Sequence, residues 1–189
     1  VCKENNEIAE IATENLILAI GHSARDTFRT LNACGVKMIQ KPFSIGVRIE
    51  HPQELIDRAQ YGNAVGLPEA DYKLSYHCKN GRGVYTFCMC PGGEVIVAAS
   101  QMESVAINGM SNRKRDSGKA NSGLLCDVKV TDFGSEEPLA GIDFQEKYEK
   151  LAFINGGKNY KAPKTTWEAF SKRRESALPV INSLPDFAV

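Results

Sequence analysis

The chain has 189 residues, of which 42% are apolar and 24% charged, with 23 basic side chains against 23 acidic ones. That composition excludes collagen, coiled coil and wholesale disorder, and the chain is long enough to bury about 70% of its unfolded surface in one good core. A formal charge of zero argues against a phosphate-backbone binder, because nonspecific nucleic-acid affinity comes from uncompensated Lys and Arg. The Arg113-Lys114-Arg115 run keeps that reading only as a distant third. The longest apolar run is Leu16 to Ile20, far short of the ~20 residues of a bilayer-spanning helix, so no membrane partner is expected. The first residues carry neither a basic start nor an apolar stretch, so no signal peptide is read. Six cysteines (Cys2, Cys34, Cys78, Cys88, Cys90 and Cys126) in a chain of this size read as cytosolic thiols, and the expected location is cytoplasmic.

In chain order, Leu16 to Ile20 predicts a buried strand ending in the turn Gly21-His22-Ser23. Ser23 is placed to cap a helix over Ala24 to Cys34, with Gly35 as its left-handed stop. Ser44 to Glu50 alternates Ile45, Val47 and Ile49 with polar positions, the period of a half-buried strand. His51-Pro52 opens a helix through about Ala59.

Asn80-Gly81 is the preferred two-residue hairpin loop and would set Tyr76 opposite Tyr85 and Leu74 opposite Phe87. Gly92-Gly93 would make the next loop, pairing Cys90 with Val95, so that three antiparallel strands form a meander. The alternation then gives a core face of Tyr72, Leu74, Tyr76, Tyr85, Phe87, Met89, Ile96 and Ala98. The opposite face is mixed, with Lys73, Ser75, His77, Thr86, Cys88, Cys90, Val95 and Val97, and suits a ligand, another domain or another chain. Asn108 to Gly118 reads as a loop and Leu124 to Val130 as a strand. Phe144, Tyr148 and Leu151 have helical spacing before Gly156-Gly157. Thr165-Thr166-Trp167-Glu168 is a capping box that opens a helix carrying Trp167, Phe170 and Arg174 on one side.

The chain contains no G-x-G-x-x-G and no P-loop, and no G-x-S-x-G nucleophile elbow accompanies His22 and Ser23. His77, Cys78, Cys88 and Cys90 lack the two-to-four-residue gaps of a zinc site, so no metal is expected. The candidate catalytic residues are Cys88, Cys90, Lys73 and His77. Lys73 opposite Cys88 would favour a thiolate, while the competing reading is of two small packed cysteines.

Three stretches, Leu18 to Phe28, Lys41 to Gln53 and Gly83 to Gly93, carry a resemblance. Together with Asn108-Gly109-Met110-Ser111 and Ala120-Asn121-Ser122, they resemble the uncharacterised FAD-dependent dehydrogenases, also called NAD(FAD)-utilising dehydrogenases, from about Leu16 to Phe170. The resemblance implies an internal fragment lacking the glycine-rich FAD loop. Residues 1–35 would end the FAD-binding segment, 36–177 would form the inserted substrate-side domain, and 178–189 would begin a truncated return. It implies an α+β fold, an antiparallel meander or barrel-like sheet with flanking helices. Ala19, Ile20, Gly21 and His22 would lie beside FAD in the full-length protein, where ligands of open α/β sheets sit. The chain alone is expected to hold no FAD tightly and to be inactive. Its partners would be the missing FAD-binding domain of the same polypeptide and an unknown small-molecule substrate, with neither nucleic acid nor membrane. The alternative is a noncatalytic protein-interaction domain.

Overall fold

The computed structural model describes residues 2–4, 7–9 and 11–172. Its elements are β1 (Cys2–Glu4), β2 (Glu7–Ala9), α1 (Arg25–Ala33), β3 (Phe43–Pro52), α2 (Gln53–Tyr61), β4 (Ser75–His77) and β5 (Gly83–Cys90). They continue with β6 (Gly93–Ala98), β7 (Ala106–Ser111), β8 (Lys119–Val128), α3 (Ala140–Asn155) and α4 (Trp167–Ser171). Every strand pair is antiparallel, so the fold is α+β as expected. The main sheet runs β3-β8-β5-β4 and does not close into a barrel; β6 and β7 form a separate ribbon, and β1 and β2 a hairpin.

The helices follow their sequence signals closely. α1 starts one residue later than expected, with Ala24 rather than Ser23 at the cap position, and the Ser23 hydroxyl instead donates to Ser100 Oγ at 3.0 Å. Gly35 takes the left-handed conformation at φ +80°. α2 begins at Gln53, whose buried amide donates to Asp57 Oδ1 (2.8 Å) and the Ala70 carbonyl (2.9 Å) and accepts from Gly92 N (2.9 Å). A buried amide satisfied at both ends fixes the helix to two loops. Before α4, Thr166 rather than Thr165 is the cap, its hydroxyl accepting from Ala169 N at 3.2 Å. Arg174 and the segment 178–189 lie outside the described residues.

The strands depart from expectation at four places. Leu16 to Ile20 is not a strand: it pairs with nothing among the described residues, and Leu16 and Ile17 are 74% and 89% exposed. An apolar strand needs a neighbour for its backbone groups and a cover for its side chains, and the described residues supply neither.

The Asn80-Gly81 hairpin is slipped by one residue, with Ser75 opposite Tyr85 and Tyr76 opposite Val84. Its loop is Lys79-Asn80-Gly81, closed by Gly81 N on the Cys78 carbonyl (2.9 Å) and Cys78 N on the Arg82 carbonyl (2.8 Å). Gly81 at φ +76° supplies the left-handed third residue that a three-residue loop requires.

The expected meander stops after β5. The Pro91-Gly92 corner turns the chain out of the main sheet, Cys90 pairs with Asn121 rather than Val95, and β6 finds β7 instead. Gly92, at φ +58°, is forced: a Cβ there would lie 1.8 Å from the Arg115 carbonyl oxygen. Residues 106–111, expected in part as loop, are therefore strand β7, and β8 starts at Lys119 and ends at Val128.

The anticipated core face is consequently not a core. Leu74, Tyr76 and Phe87 are exposed, Phe87 by 57%. The buried apolar cluster is Val105, Phe153 and Ala162, against which Val97, Ile107 and Ala152 pack, so it lies where α3 meets the ribbon. A second apolar group joins β3 to α3: Phe43 stacks on Phe133 (centroids 5.3 Å), and Phe144 meets both rings edgewise or tilted. A buried ion pair completes the packing. Arg25 of α1 reaches Glu149 of α3 through both nitrogens, at 2.7 and 2.9 Å, with Gln101 and Gln145 as further acceptors.

Candidate polar site at the bulge of β5

β5 pairs with β8 in one register as far as Phe87–Gly123 and in another at Cys90–Asn121, so one extra residue is accommodated between them. Cys88, exposed and at φ +45°, stands at this bulge. A left-handed cysteine is uncommon, and such bulges re-aim side chains next to functional sites. The Arg48 guanidinium of β3 donates through Nη2 to the Cys88 carbonyl, and the Ser122 hydroxyl lies within reach of the Phe87 carbonyl at 3.2 Å and the Gly123 carbonyl at 3.1 Å.

Register sorts the surrounding polar residues onto two faces. Arg48 opposes Gly123 and Glu50 opposes Asn121, so these positions share the face covered by the β6–β7 ribbon. There Glu50 accepts from Val95 N (3.1 Å) and pairs with Lys119 (3.4 Å). Asn121 is fully buried at 0% exposure, and neither its Nδ2 nor its Oδ1 has a hydrogen-bond partner among the described residues.

On the other face His51 Nε2 lies 2.9 Å from the Tyr72 hydroxyl, and Nδ1 lies 3.1 Å from the Pro52 carbonyl. A carbonyl only accepts, so in the neutral ring Nδ1 carries the proton and the Tyr72 hydroxyl donates to Nε2. Burial pushes the Tyr72 phenol up, partly offset by the Ser122 hydroxyl and the positive charge of Arg48.

The four candidate catalytic residues are not brought together. Cys88 occupies the bulge, whereas Cys90 returns to the ladder opposite Asn121, and the register shift puts the two out of the common alternation that a straight strand would give them. Lys73 lies outside the β4 ladder, so it is not held opposite Cys88. His77 pairs with Gly83 and, with Lys73, Tyr85 and Asp127, lines an open groove of about 490 Å³. Cys34, Cys78, Cys88, Cys90 and Cys126 are free thiols, and no metal-holding cluster of His, Cys, Asp or Glu occurs among the described residues. No helix among them is long and apolar enough to cross a membrane.

Ala19, Ile20, Gly21 and His22 are exposed, and Gly21 has φ +69° with nothing within 4 Å of the place its Cβ would take. Such a backbone is approachable from outside. It encloses nothing, however, and these residues alone do not fit a dinucleotide, which needs a cradle of convergent N–H groups.

Sequence reasoning missed Arg48 and Asn121 on the covered face and the His51–Tyr72 pair on the other. The alternation of β3 sets Arg48 with the polar positions and residues 119–123 carry no strand signal, so nothing local points to a covered face.

Residues 42–185 match the family described as FAD-dependent protein, C-terminal domain-like. The chain belongs to that family. Arg48, Cys88, Gly109 and Asn121 all fall inside the matched span of this FAD-dependent C-terminal domain, while Ala19 to His22 precede it. An uncharacterized protein of Clostridium beijerinckii (strain ATCC 51743 / NCIMB 8052) is 52% identical over 170 residues, 88% of this chain and 32% of the relative. The chain thus spans about a third of the length of the relative that it matches.

Proposed function

We propose that the chain is the substrate-side part of an FAD-dependent oxidoreductase of the dehydrogenase type, acting in the cytoplasm on a small-molecule substrate. In this reading residues 1–35 close the FAD-binding segment, 36–177 form the inserted domain and 178–189 start the return to the flavin domain. The observation that carries it is the unpaired, exposed run Leu16 to Ile20, which leads into an open Gly21 in a chain of an FAD-dependent family. An apolar segment tethered to α3 through Arg25 but left bare on the other side is what half of a domain boundary looks like. The partner that would cover it is the FAD-binding domain of the same polypeptide, whose N–H groups would hold the pyrophosphate and whose flavin would supply the redox chemistry.

The test is spectroscopic. The full-length polypeptide should purify yellow with one FAD per chain, and the 189-residue chain should purify colourless. A full-length protein without flavin would sink the reading and favour an interaction domain; flavin held stoichiometrically by the 189 residues alone would overturn the division of labour.

A further inference from the structure

We propose that the outer edge of β3 pairs with the same strand of a second copy of the chain, about a two-fold axis at Val47. β3 is an edge strand of the main sheet, bonded to β8 on one side only. A bulge, a lysine or a mid-strand proline would protect such an edge, and β3 has none of them. Its ten residues keep an unbroken register with β8, and Pro52 stands only at the very end. The other edge of the sheet, β4, is blunted by its length of three residues. The two charged side chains of β3 are engaged beneath the ribbon: Arg48 lies against Gly109 and bonds the Cys88 carbonyl, and Glu50 holds Val95 N and Lys119.

The direction of the free backbone groups follows from the ladder. Gln53 N donates to the Gly118 carbonyl at 2.9 Å, one step beyond the Pro52–Lys119 pair. Bonded and non-bonded pairs alternate along an antiparallel ladder, so Phe43, Ile45, Val47, Ile49 and His51 turn their N–H and C=O groups to β8. Ser44, Gly46, Arg48 and Glu50 turn theirs outward, and these groups have no hydrogen-bond partner among the described residues.

The residues of β3 match their own copy. With the axis at Val47, Ser44 lies opposite Glu50 of the second copy and Gly46 opposite Arg48, so every outward N–H and C=O finds a partner. Val47 then faces Val47 and Ile45 faces Ile49, in the non-bonded pairs whose side chains stand closest across a sheet. Val47 is 43% exposed, and the pairing covers it with an equal side chain. On the opposite face the smallest residue lies across from the arginine. Moving the axis to Arg48 would oppose two like charges. Moving it to Gly46 or Ile49 would bring Pro42 or Pro52, which have no N–H, into the bonded row. A strand of unrelated sequence would supply the backbone bonds without this two-fold match of side chains. Because the contact is isologous, both free edges are consumed and assembly at this edge stops at two.

Sedimentation of the 189-residue chain over rising concentration should show the mass moving from one chain toward two. Val47→Lys, which sets two ammonium groups head on at the axis, should keep its circular dichroism and remain a single chain at every concentration. Cysteine variants read the register whether or not that variant folds. Under mild oxidation Val47→Cys should link two copies through position 47, as mapped by peptide mass. Ile45→Cys and Ile49→Cys should each fail to link to itself and should link to each other when mixed. A chain that stays single at all concentrations, a dimer that survives in folded Val47→Lys, or position 45 linking to itself would each overturn the proposal. So would a full-length polypeptide that sediments as a single chain, since its own residues would then cover the edge. Presence or absence of flavin bears on none of these results.

Discussion

Arg25 and Glu149 lie 124 positions apart and meet in a two-pronged ion pair, at 2.7 and 2.9 Å, that fastens the start of α1 to the middle of α3. Arg25 is 1% exposed, so the pair is desolvated on the arginine side. Removing one member of such a pair strands the other.

Arg25→Ala should therefore destabilise the chain by about 3 kcal/mol or more, the range for breaking a buried pair. Arg29→Ala, whose partners Asp143 and Glu146 belong to a solvent-accessible pair and bridge, should cost below about 1 kcal/mol. Urea melts of the two variants decide it, and equal losses would contradict the assignment of Arg25 as the anchor.

Phe87 and Phe153 offer a second comparison. Phe153 is buried among Val105 and Ala162, so Phe153→Ala should cost about 3–5 kcal/mol. Phe87 lies largely in solvent, and Phe87→Ala should cost about 1 kcal/mol or less. A large loss at Phe87 in denaturant melts would restore the unslipped hairpin, with that ring in the core.

Acid should find Asp132. Its hydrogen bonds with Arg82, together with the Lys129 N–H, hold its carboxyl down from an ordinary 3.8 to about 2. A depressed folded pKa means that the stabilisation is complete above about pH 4 and is lost as the pH falls through about 2. Asp132→Asn should lower stability at neutral pH and flatten its decline between pH 4 and 2. Parallel pH profiles for the two proteins would contradict the coupling.

Two glycines separate conformational strain from collision. Gly81 and Gly92 both have positive φ, but Gly81 has open space about it, while a Cβ on Gly92 would strike the Arg115 carbonyl. Gly81→Ala should cost about 1–2 kcal/mol, and Gly92→Ala clearly more, because a backbone contact has no flexible end to move. Thermal unfolding of both variants measures the difference; equal shifts would show that the 112–118 loop yields freely.

The helices and β3 were readable because their signals are local: a 3.6-residue or two-residue period bounded by Pro, Gly or a capping hydroxyl. The hairpin was not, because Asn80-Gly81 satisfies both a two-residue loop and the last two places of a three-residue one, and only the pairing partner decides. The bulge hid for another reason. Its left-handed residue is Cys88, where a reader expects glycine, and a single extra residue reverses the faces of everything beyond it. The departure of β6 from the main sheet depends on contacts with Arg115 and Gln53, both distant along the chain. The polar centre shared that fate: Arg48, Gly109 and Asn121 lie on three strands, and their meeting is a property of register.

The bare run Leu16 to Ile20 has a consequence for the life of the protein in a cell. Five consecutive uncovered aliphatic and alanine residues form the kind of sticky segment that holdase chaperones retain and that proteases reach first. A polypeptide that exposes this segment is open to aggregation and to proteolytic nicking there.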